Sequence, residues 1–261
     1  MSEPVSSAGA PRRAERTAAP SSPLRLADSP ARAAASVVGR LLAARARAVA
    51  EGATVLGAAA ARGCLDAASS AHPARKTILF YWIEDVLPMM VMDIRAREVL
   101  GGETEAFRFV CDDTFGGCVA ESLLSRLGRR TLLLRRQRPA ERIRDLQRIM
   151  RSIEPMGIAV DGHGPYGRVG EAFPRLVESA GAVALPVSVV ADRSHRIWAR
   201  ASLVVPGRGA TLAIAVGDPL PASAVGSGAE PFQAALEATR VACRAALAQQ
   251  ARIPGGAGSP Q

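Results

Sequence analysis

Seven consecutive residues, Asp161-Gly162-His163-Gly164-Pro165-Tyr166-Gly167, combine an acid, a histidine and three glycines. Glycine and proline at this density exclude regular helix and central strand. An acid beside a histidine is a pairing used in general-base chemistry: the carboxylate orients the imidazole, which takes a proton from a hydroxyl near neutral pH. Asp161, Asp112 and Asp113 are the acids that could orient His163. A plain glycine-rich connection has the same composition, so the loop alone leaves both readings open. Glu84 and Asp85 follow a first apolar run. Burial could raise one of them into a carboxylate base, while Asp85 also suits the N-cap of a following helix. Arg135 and Arg136 end a third apolar run, where guanidinium forks could hold a phosphate or simply face solvent.

These residues need elements to position them, and the chain alternates accordingly. Strands are expected at 78–82, 107–111, 131–134, 158–160 and 183–190, with helices at 86–100, 117–127, 140–153 and 171–180 between them. Two last strands at 198–205 and 211–216 are expected to pair around the turn 206–210, before a closing helix at 231–251. The pattern predicts an α/β fold: a layered mixed sheet of about seven strands flanked by helices. The active loop would then follow a strand C-terminus, where such sheets bind ligands.

Residues 31–75 read as an N-terminal helical segment, one long helix or a pair broken near Gly52 or Gly57. Its stripe of Val37, Val38, Leu41 and Leu42 near Arg40, Arg45 and Arg47 suits an anionic membrane surface or packing on the domain behind it. Residues 1–30 and 253–261 read as disordered tails around an α/β domain at 76–252.

The net charge is +9, with one lysine, Lys76, among 33 basic residues. Ten arginines against Glu141 and Asp145 concentrate that charge between Arg126 and Arg151. Such a face could hold phosphates, sit on an anionic membrane or be merely solvated. Nucleic acid is disfavoured, because the arginines are not interleaved with stacking aromatics. Four cysteines without a C-x-x-C pair read as reduced cytosolic thiols, and no metal-ligand spacing is present. A Gly-x-Ser-x-Gly elbow and a P-loop are missing.

The order of these pieces resembles the lysophospholipid acyltransferase-like superfamily, over about residues 78–221. The nearest group is that of small bacterial proteins whose loop reads roughly Asp-Gly-Pro-Arg-Gly-Pro. Four features carry the resemblance: Phe80-Tyr81-Trp82 ending the first strand, Arg135 ending the third, Asp161-Gly162 opening the glycine loop, and the apolar strand Ala180–Val187 with Pro186. The resemblance implies a glycerolipid acyltransferase-like fold. It also implies transfer of an acyl chain from a thioester on coenzyme A or acyl carrier protein to a lipid-like hydroxyl or amine, without a cofactor or metal. Asp161, Gly162, Gly164, Arg135 and Arg136 would then bind the acceptor. Thr114 stands where the group carries a Ser-x-Asp-Gly-like turn, without its Asp.

The chain departs from the family at its base. The residue after Trp82 is Ile83 rather than His, and five positions on stands Pro88 rather than Asp. His163, with Glu84 or Asp85 as carboxylate alternatives, becomes the replacement base to be tested. Two functions therefore stand as expectations: an acyltransferase with a non-standard base, and a relative that binds lipid or acyl groups without turnover. An Arg-rich binder of anionic polymers is the third reading. The expected location is cytoplasmic, peripheral on the inner face of the cell membrane.

Overall fold

The computed structural model describes residues 30–71, 76–100, 108–134, 144, 149, 155–161, 166–197, 203–221 and 228–252, without the side chains of 67–71 and 96–100. The protein is α/β. In chain order its elements are α1 (Pro30–Ala50), β1 (Thr54–Leu56), α2 (Ala58–Ala71), β2 (Thr77–Tyr81), a 3-10 turn (Ile83–Asp85), α3 (Val86–Leu100), β3 (Arg108–Asp112), α4 (Phe115–Arg126), β4 (Arg130–Leu134), β5 (Met156–Ala159), α5 (Ala172–Ser179), β6 (Val183–Ala191), β7 (Ser194–Ile197), β8 (Leu203–Pro206), β9 (Thr211–Val216), β10 (Leu220–Pro221) and α6 (Glu230–Ala251). The expected tails and most of the expected helix 140–153 lie outside the described residues.

The main sheet runs β1-β9-β6-β2-β5-β3-β4, with β10 added on β6. Strands β6, β2, β5, β3 and β4 are mutually parallel, whereas β9 and β10 run antiparallel to β6. Every residue of β2, Thr-Ile-Leu-Phe-Tyr, is buried, as a parallel strand covered on both faces requires. Its alternation divides the core. Leu79 and Tyr81 join Phe109, Cys111, Leu185, Val187 and Leu212 under α1, α3 and α4. Ile78, Phe80 and Trp82 join Met156 and Ala184 under α5 and α6. On that second face Phe80, Phe173 and Phe232 make a three-ring cluster with centroids 5.1–5.7 Å apart, a geometry that adds to simple area burial.

The N-terminal segment is a helical pair broken at Gly52 and Gly57, and the break contains a strand. β1 pairs in parallel with β9 and so extends the main sheet. Gly57 follows it with φ of 81°, and a Cβ there would lie 2.6 Å from the carbonyl oxygen of Ile214. Both the left-handed backbone and the missing side chain are needed. The expected apolar stripe of α1 is divided. Leu42 packs inward with Ala35, Ala43, Ala46 and Val49, while Val37 and Leu41 stand exposed beside Arg40. Small inward residues let α1 approach α4 closely: a Cβ on Gly39 would sit 2.6 Å from Ser122 Cβ.

The final strands differ from expectation. β8 pairs back with β7 as a separate two-stranded hairpin, and β9 pairs with β6 and β1. The turn between β8 and β9 is tied to the β6–β7 connection, with Gly207 N–H donating to Arg193 O at 2.8 Å and Thr211 N–H to Asp192 Oδ1 at 2.8 Å. Those bonds redirect β9 onto the long apolar β6, where Leu212 and Ala213 become fully buried.

Candidate functional site

Because β2, β5, β3 and β4 are neighbours and parallel, the segments after them emerge at one sheet edge. These are Trp82–Asp85 after β2, Asp113–Thr114 before α4, and Val160–Asp161 after β5. The edge therefore gathers Glu84, Asp85, Thr114 and Asp161, residues distant in the chain, as the alternating pattern required. Gly162, His163, Gly164, Arg135 and Arg136 lie outside the described residues.

Asp161 is buried and joins two of these segments. Its Oδ1 accepts from the Ile83 N–H at 2.7 Å, and its Oδ2 accepts from the Gly167 N–H at 2.8 Å. One oxygen thus caps the helical run that starts after β2, and the other closes the glycine loop on itself. Burial raises the Asp161 carboxyl above the ordinary range, and the two backbone donors pull it back. From the other side Gln233 of α6 brackets the loop end, accepting from Val169 N–H at 2.9 Å and donating to Gly167 O at 3.1 Å.

Ile83, at the position where the resembled family carries its base, packs its side chain against the first core cluster. Its two acidic neighbours are engaged elsewhere. Asp85 ends the 3-10 turn that runs straight into α3. It does not cap that helix, because its carboxylate meets the closing helix instead. Arg240 Nη2 donates to Asp85 Oδ1 at 3.1 Å, and Arg240 Nη1 pairs with Glu84 Oε1. Arg196, on β7, reaches Glu84 Oε2 at 3.0 Å. The Arg240 guanidinium also lies 5.8 Å from the centre of the Trp82 ring, a cation–π arrangement. Among the described residues, Asp85 Oδ2 and Arg240 Nε are buried polar side-chain atoms with no hydrogen-bond partner. Burial pushes the Asp85 carboxyl up to about 7, the charge of Arg240 opposes that, and Glu84 adds to it.

Thr114 is already used by the backbone. Its hydroxyl donates to Asp112 Oδ1 and accepts from the Gly117 N–H at 3.1 Å, capping α4. Asp112 Oδ1 also accepts from Thr114 N–H at 3.1 Å. Beside this cap and the loop, Phe115 and Tyr166 are large exposed aromatic side chains. The basic segment behaves unevenly. Arg129 is buried and grips Asp93 of α3 through both oxygens, with its Nε–Oδ2 contact at 2.9 Å. Arg126 and Arg130 are exposed, and the remainder of 135–154, apart from Arg144 and Ile149, lies outside the described residues.

Arg240, Arg196 and Gln233 were not anticipated. Arg240 does leave a trace: it falls four residues after Leu236 and three before Cys243, in the buried stripe of α6. An arginine in an inward stripe needs an acid to meet it. Arg196 and Gln233 carry no comparable signal.

Among the described residues no cluster of His, Cys, Asp and Glu could hold a metal ion, and no helix is long and apolar enough to cross a membrane. No protein-family model matches the chain, and no curated protein matches it.

Proposed function

We propose that this protein binds an acyl-bearing or lipid-like ligand at the C-terminal edge of its sheet and does not turn it over by the histidine mechanism of the superfamily it resembles. One observation carries the reading. The position of the family's base is an isoleucine packed on the core, with its N–H held by Asp161 and its acidic neighbours held by Arg240. A group already committed to internal bonds would have to break them to take a proton from an acceptor. Phe115 and Tyr166 offer the apolar contacts at the same edge.

Acyl transfer remains as a second reading, favoured by the Asp85 carboxyl being pushed up to about 7 at the end of β2. That is the range in which a carboxyl works as a general base. Incubation of the full chain with radiolabelled palmitoyl-coenzyme A and lysophosphatidic acid separates the two. Retention of label with no release of free coenzyme A above the protein-free rate is the expected result. Protein-dependent release over many turnovers would establish transfer, and absence of retention would remove the binding reading. Tyr166→Ala and Phe115→Ala should each weaken retention by about 5-fold to 10-fold, the loss of one aromatic contact.

A further inference from the structure

The mixed-charge cluster beneath Trp82 has a balance that its geometry makes unstable. Glu84 and Asp85 are adjacent in sequence, and both carboxylates face one guanidinium, Arg240. Asp161 stands near enough that the charge of Glu84 raises its cost of ionisation. The remaining cation, Arg196, has a side chain 65% exposed, so solvent screens most of its charge. Asp85, by contrast, is 3% exposed. From β6 it faces the Ser188 hydroxyl, and from α6 it faces Arg240 and the Cys243 thiol. Ser188 in turn accepts from Thr239 Oγ1 at 3.1 Å. Asp85 Oδ2 is the one oxygen of the pair with no hydrogen-bond partner, which leaves it the natural seat for a proton.

We propose that Glu84, Asp85 and Arg240 form a proton-operated latch between the end of β2 and the closing helix α6. With a proton on Asp85 the buried site holds one carboxylate against one guanidinium and is closed. When that proton leaves, two adjacent carboxylates share the one buried guanidinium, through Nη1 and Nη2, in a site with little water. The excess charge is relieved when α6 moves away and Asp85 reaches solvent. Arg240 stacks on Trp82 in the closed form, so opening also exposes the indole face.

The latch is independent of any ligand and is tested on the full chain alone. Hydrogen exchange of the α6 amides around Leu236–Cys243, corrected for the intrinsic pH dependence of exchange, reads the opening constant. A buried carboxyl that titrates near 7 should raise that constant about thirty-fold between about pH 5.5 and about pH 8.5. Asp85→Asn, which mimics the protonated form, should hold it within about threefold over that range. A wild-type change below about threefold overturns the proposal. So does a full wild-type change that Asp85→Asn retains, because another group would then be responsible. If Asp85→Asn does not fold, carbon-13 NMR of the wild-type side-chain carboxyls decides. One carboxyl titrating between about pH 6 and about pH 8 upholds the latch, and all titrating below about pH 5 overturns it.

Discussion

Asp161→Ala is the substitution that best isolates how the candidate edge is assembled. It removes both acceptors at once and leaves the Ile83 and Gly167 N–H groups without their partner. A buried donor left unsatisfied costs about 1–3 kcal/mol; Ile83 is half-buried and bears that cost, whereas Gly167 is exposed and its N–H can turn to water. Against this, the substitution removes a buried carboxylate whose ionisation is itself penalised, as its raised pKa indicates. A net loss of ~1–2 kcal/mol follows, a measurable part of the stability of an ordinary domain. Urea unfolding at neutral pH followed by tryptophan fluorescence measures it, since Trp82 sits beside the turn. The pH dependence has a definite sign. A carboxyl raised on folding contributes stability that is fully present below its unfolded pKa and declines as pH rises through its folded pKa. The wild-type advantage over Asp161→Ala is therefore largest in acid and shrinks on the way to neutral pH. Asp161→Asn, which keeps one acceptor, should fall between the two. A loss below about 0.5 kcal/mol, or an advantage that grows with pH, would refute the role of Asp161 as the staple between the two segments.

Three further substitutions test other parts of the structure. Phe232→Ala should cost ~3–5 kcal/mol in the same unfolding measurement, because it empties one vertex of the three-ring cluster with Phe80 and Phe173. Gly39→Val should cost ~1–3 kcal/mol by pushing α1 off Ser122 of α4; Gly63→Ala, where a Cβ meets nothing within 4 Å, is the control and should be neutral or slightly stabilising. Gly117→Ala should cost ~1–3 kcal/mol, since its Cβ would fall on the carboxylate of Asp112 and undo the Thr114 cap.

Much of this architecture was legible because the signals are local. The run Ile78–Tyr81 is aliphatic and aromatic without polar alternation, as suits a strand covered on both faces. The helix expected at 117–127 is present as α4, but it starts at Phe115 and uses Thr114 as its cap, a role not read from the sequence. Asp161 and Gly167, which flank the glycine loop, are joined by a hydrogen bond after β5. Other features were not legible. β1 is three residues long between two helices, too short to carry a period, and only its parallel pairing with β9 makes it a strand. β8 carried a strand pattern, but its expected partner was the strand at 211–216; the ties between Gly207, Arg193, Asp192 and Thr211 decide that it pairs with β7 instead.

The site divides the same way. Composition and spacing determined the helix–strand alternation, the edge at which loops gather and the acids standing there, because residue type and period act over a few residues. Which bonds those acids make was decided by the tertiary structure alone. Asp85 and Arg240 are 155 residues apart, and Asp161 and Ile83 are 78 apart. Their meeting depends on β5 and β6 flanking β2 and on α6 crossing that face, facts of strand order that no local pattern records. The same carboxylate that reads as a helix cap in sequence becomes a buried partner of arginine once the closing helix is laid across it.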